Sequence, residues 1–155
     1  MQGTTRSTTT TRPLEQFLAI VGTAVCLIVC ARIWQVLSGA QPMWPLPGLY
    51  LLEMIVVSLI GMLGILTGDS EQSTLAGSLA WAAAGALTAF VAMGAWSIGF
   101  LFLPVALIFM ITAILADRRR RRNLVVHLGV GVMAAIAQVA LMLAAIRLIY
   151  PDAVF

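Results

Sequence analysis

The chain has 155 residues, of which 61% are hydrophobic and 10% charged, and its mean hydropathy is +1.03. Soluble domains hold about 25% charged residues, and a globule this small cannot hide so much apolar surface, so an ordinary water-soluble fold is excluded and lipid is the solvent. The net charge of +3 and pI ≈ 9.5 would suggest nucleic acid in a soluble protein, but the basic residues, all nine of them Arg, lie at the ends of apolar runs, which removes that reading.

In chain order, residues 1–13 are polar and Thr-rich without apolar periodicity, the pattern of a disordered tail. Pro13 is expected to open the first helix, with Glu15 in its first turn at the positive end of the helix dipole. Crossing the hydrocarbon takes about 20 predominantly apolar residues. The first such run is 14–36. It is read as a retained helix, not a cleaved leader, because Arg32 interrupts it and its length exceeds the roughly 7–15 apolar residues of a leader. Val25 and Val29, ahead of Cys26 and Cys30, argue against a lipoprotein cut, which wants a small residue there. Cys26 and Cys30 share one helical face; a paired-thiol site is weighed against packing by two small apolar residues, and packing is preferred.

The segment "LSGAQPMWPLPG" carries three prolines and two glycines and marks a loop. A second span is expected at 47–67, followed by the short acidic "GDSEQS". From Thr74 to Ala116 the chain stays apolar, too long for one crossing at about 1.5 Å per residue. It must therefore fold back, and "MGAWSIGF" is the expected break. This gives spans at 75–95 and 98–116, with Pro104 expected to kink the latter. A last span covers 124–149, and 151–155 is a short tail. The predicted fold is an all-α up-down bundle of five transmembrane helices, with four as the alternative.

Orientation follows Arg in short loops. With five spans, the N-terminal tail and the run Arg118, Arg119, Arg120, Arg121, Arg122 share one side, while the other side has no loop arginine. The N-terminus is thus expected inside and the C-terminus outside. Trp34, Trp44, Tyr50, Trp96 and Tyr150 then all fall near the outer boundary, where amphipathic rings prefer to sit. The arginine run reads as a topology anchor in contact with anionic headgroups, each Arg contributing about 1 kcal/mol before screening. The loop is too short to leave the headgroups for a nucleic acid.

Ionisable groups inside spans cost about 2.5–3.5 kcal/mol at mid-helix and need partners. Arg32 and Glu53 fall at similar depth on consecutive helices, so an ion pair, joined by Arg147, is one expectation; outward snorkelling of both arginines is the other. Gln138, near the middle of the last helix, must also find a partner, with Ser58, Ser78 and Thr88 the candidates. Arg32, Glu53, Arg147 and Gln138 form the candidate intramembrane polar cluster. His127 is read as a headgroup contact and Asp117 as an offset to the neighbouring arginines. Small residues at four-residue spacing mark close helix contacts: Ala76, Ala80 and Ala84, also Gly77 and Gly85, with Gly61 and Gly64 and with Gly131 and Ala135. The third helix is expected at the centre.

No phosphate loop, H-E-x-x-H, C-x-x-C or G-x-S-x-G is present, and nothing pairs a nucleophile with a base. The expectation is a non-enzymatic, multi-pass protein of the cell membrane, of the bacterial inner-membrane type, without cofactor or metal. Its partners are expected to be the bilayer and other membrane proteins or a second copy, with no nucleic acid. Two roles stand: a structural or accessory component, or a small transporter or channel with a polar path near Glu53 and Gln138.

Overall fold

The computed structural model describes residues 11–39, 45–68, 74–94, 98–120 and 124–151. Five α-helices account for nearly all of them: α1 Thr11–Ser38, α2 Leu46–Thr67, α3 Thr74–Met93, α4 Leu103–Arg120 and α5 Leu124–Ile149, with a 3₁₀ segment Ile98–Phe102 leading into α4. Helices are what such a sequence must form in lipid, since each backbone N–H and C=O has to be satisfied within its own segment. Four helices are long and apolar enough to cross a membrane; the apolar stretch of α3, Gly77–Met93, is shorter.

The breaks before α2, α3 and the 3₁₀ segment fall beside glycines and prolines. Gly94 ends α3, and the Gly99 amide donates to the Gly94 carbonyl at 2.9 Å. Both positions need glycine, since a Cβ on either would meet the other's backbone at 2.5–2.7 Å. Pro104 lies inside the apolar stretch Ile98–Arg118, just past its 3₁₀ segment. It is the second residue of α4, where its missing N–H is one that no helix could satisfy and its fixed φ suits the first turn. Two other bounds differ from expectation. α1 begins at Thr11, which puts Glu15 in the second turn, where it is 1% exposed. α4 continues through Arg120, so the arginine run starts inside a helix and not in a loop.

Packing places α3 at the centre, against α2, α4 and α5, while α1 closes the far side on α2 and α4. Gly61 beside Ala83 and Tyr50 beside Phe90 set α2 antiparallel to α3. Trp81 beside Asp117 sets α4 antiparallel to α3 as well. α5, returning after α4, therefore runs parallel to α3. The core of the four-helix portion is filled by Met54, Leu87, Phe90, Phe102 and Phe109, each 0% exposed.

The small residues act as the spacing predicted. A Cβ on Gly85 would lie 2.0 Å from the Gly131 carbonyl oxygen, and one on Gly61 would lie 2.7 Å from the Ala83 Cβ. Backbones therefore touch at Gly85 and Gly131, and side chains of α3 and α4 press on the α2 backbone at Gly61, a mode of association that needs no hydrophobic drive. The outer faces are apolar: Phe17 is 62% exposed, Met133 65% and Leu148 86%. Bulky apolar side chains pointing outward from several helices are compatible with a membrane protein.

Candidate functional site

Two sets of polar side chains join helices to one another, each at its own level of the bundle. At the end where α4 leads to α5, Asp117 is 2% exposed and His127 4% exposed. Asp117 Oδ1 lies 2.5 Å from His127 Nδ1, and its Oδ2 accepts from the Trp81 indole N–H at 3.1 Å. One carboxyl group thus ties α3, α4 and α5 together. This corrects two expectations. His127 is buried and not a headgroup contact, and Asp117 turns inward, not toward the arginines. The reason is geometric: residues 117 and 127 flank one short connection, so antiparallel helices bring them to the same height. The signal was legible in an indole N–H within an apolar helix, which has to find an acceptor.

At mid-bundle, Gln138 Nε2 donates to Glu53 Oε1 at 2.8 Å, joining α5 to α2. Gln138 therefore meets a carboxyl group that was not among its three expected partners. Ser58 donates to the Ile55 carbonyl and Thr88 to the Ala84 carbonyl, both satisfying themselves within their own helices. The expected Arg32–Glu53 ion pair is absent among the described residues. Arg32 and Arg147 are both exposed on the bundle surface, where a long aliphatic stem lets a guanidinium reach polar surroundings. Of the four-residue cluster, the structure brings together Glu53 and Gln138 and leaves the two arginines outside it.

Two clefts separate α5 from α2, one on either side of this bond. The larger, about 510 Å³, lies toward the Leu46 end of α2 and the Ile149 end of α5, lined by Tyr50, Glu53, Met93, Met142, Ala145 and Ile146 among others. The smaller, about 260 Å³, is lined by Val57, Ile60, Ala83, Ala86, Ala137 and Gln138 among others. Leu141 borders both. Tyr50 is half-buried: its hydroxyl donates to the Phe90 carbonyl at 3.3 Å, and its ring meets Phe90 edge-on at a 4.8 Å centroid distance.

Cys26 and Cys30 are free and buried, facing α2 carbonyls of Met54 and Leu51 at 3.7 and 3.8 Å. Among the described residues no group of three or more His, Cys, Asp or Glu side chains converges in a way that could hold a metal ion. Arg118 is exposed at the end of α4. Trp44, Trp96, Arg121 and Arg122 lie outside the described residues, as do the side chains of Ala76, Arg119 and Arg120. No protein-family model, curated protein or solved structure matches the chain.

Proposed function

We propose that this chain is a multi-pass component of the cell membrane with a structural or accessory role, and not an enzyme. The observation that carries the reading is how the polar groups within the helices are used. Asp117 is taken up by Trp81 and His127, and Glu53 accepts from Gln138; each bond joins one helix to another and helps to assemble the bundle. Small residues on α5 that face outward, Ala137, Ala140 and Ala144, offer a surface on which a further helix can pack closely.

Five crossings are the topology we favour. α2 and α4 both run against α3, which supports a return of the chain through α3 before α4. At about 1.5 Å per residue, the 20 residues of α3 reach about 30 Å, enough for the hydrocarbon. The arginines of residues 118–122 then face the cytoplasm with the N-terminus, and the C-terminus is outside, as in a bacterial inner membrane. The arginine run contacts anionic headgroups.

Tags at each end, exposed to protease outside intact cells, test this arrangement. The rear tag should be cut and the front tag protected. Mild-detergent purification should recover the chain with a partner membrane protein or as a self-associated species, and a solitary monomer would count against the accessory role. The second reading, a transporter or channel, is favoured by one feature, the 510 Å³ cleft ending on Glu53. It predicts proton- or solute-dependent flux in vesicles that Glu53→Gln abolishes.

A further inference from the structure

We propose that the larger cleft is a binding site for a lipophilic cation: a positively charged centre carried on a compact apolar body. This goes beyond the accessory role and stands on the cleft alone. Its volume of about 510 Å³ lies in the ordinary range of small-molecule pockets, roughly 300–1,000 Å³. The walls come from four helices and the 3₁₀ segment, with Leu37 on α1, Ile98 in the 3₁₀ segment, Met93 on α3, Met142 and Ala145 on α5, and Tyr50 and Glu53 on α2. All but the last two are wholly apolar, and methionine thioethers adapt their shape to an irregular guest.

The charge decides which guest. Glu53 is the one ionisable carboxyl among the lining residues, and no arginine or histidine lines the cleft with it. Arg32 and Arg147, the basic groups nearest in sequence to the cleft-lining segments of α1 and α5, are exposed and do not line the cleft. Gln138 holds Oε1 by a 2.8 Å hydrogen bond, which fixes the carboxyl plane and leaves Oε2 without a partner among the described residues. A carboxylate in apolar surroundings gains most from a countercharge brought in by the ligand, because the low dielectric strengthens the attraction. Tyr50 lines the cleft together with Glu53, and an aromatic ring is a group that attracts cations. A neutral acyl chain would meet the same walls yet leave Glu53 unpaired, and an anion would be repelled.

Tetraphenylphosphonium and tetraphenylborate, matched in shape and opposite in charge, are the probes. Their binding is measured by equilibrium dialysis against the full chain in lipid nanodiscs, with empty nanodiscs as the blank. The phosphonium should bind saturably at one per chain, while the borate shows only the partitioning of the blank. Glu53→Gln keeps an oxygen for the Gln138 donor and should weaken the phosphonium by at least about tenfold. Ala145→Phe, which fills the cleft and leaves Glu53 intact, should abolish saturable binding. Equal binding of the two probes, unchanged affinity in either variant, or no saturable phase in the parent overturns the proposal. Because the probe comparison uses the parent chain, it decides the matter even if a variant does not fold. Recovery of a partner protein is a separate readout, so failure here and failure of the accessory role are told apart.

Discussion

His127 Nδ1 stands 2.5 Å from Asp117 Oδ1, with both side chains buried. Trp81 occupies the second carboxyl oxygen, so loss of Asp117 strands two donors at once. Asp117→Ala should lower stability by about 2–5 kcal/mol, the scale for breaking a buried charged or hydrogen-bonded network. His127→Ala and Trp81→Phe should each cost less. A double-mutant cycle between Asp117→Ala and His127→Ala, read by thermal unfolding in detergent, should show clear coupling. If the two losses simply add, the pair does not act as a unit.

The contact between α3 and α5 predicts a contrast between glycines. Gly85→Ala puts a methyl 2.0 Å from the Gly131 carbonyl oxygen, backbone that cannot step aside, whereas a methyl at Gly129 meets nothing within 4 Å. Gly85→Ala should cost at least about 1–3 kcal/mol through overpacking, and Gly129→Ala should be close to neutral. Thermal melting of the two variants side by side checks this. Equal melting temperatures would mean that α5 does not seat on α3 at that point.

Gln138 and Glu53 lend themselves to a second cycle. Gln138→Leu and Glu53→Leu should couple by about 0.6–1.7 kcal/mol, the range for interhelical hydrogen bonds in membranes. Arg32→Gln should change stability little, since Arg32 is exposed and joins no ion pair among the described residues. A large effect at Arg32, coupled to Glu53, would restore the ion pair that the sequence suggested.

Thiol labelling reports on the α1–α2 seam. Cys26 is 0% and Cys30 4% exposed, and both are free. Maleimide should fail to label the folded chain and should add two labels per chain after unfolding in SDS. Rapid labelling of the native protein would show that this seam opens.

Replacing Arg118–Arg122 with Gln should loosen the inside preference of that end. Each arginine contributes about 1 kcal/mol at low salt, and the loss should shrink as salt screens the headgroups. Reporter fusions at the C-terminus would then show a mixed orientation, whereas an unchanged one would assign the orientation to other residues.

What the order of residues determined by itself is the one-dimensional part of the problem. Long apolar runs specify helices because lipid offers no other hydrogen-bonding partner to the backbone. Gly94, Gly99 and the proline-rich segment before α2 fixed the breaks, since these residues either lack a Cβ or lack an N–H. The central place of α3 was also legible, because Gly77, Ala80, Ala84 and Gly85 let neighbours approach from more than one side. The choice of partner for each polar group depended on the third dimension. Glu53 and Arg32 match in depth, but depth alone does not fix the rotation of a helix about its axis. α5 settles on α3 through Gly85 and Gly131, and that docking carries Gln138 to Glu53 and His127 to Asp117. Pairing inside a bundle is decided by azimuth, which is set by the packing of all the helices together, and a linear pattern encodes it only weakly.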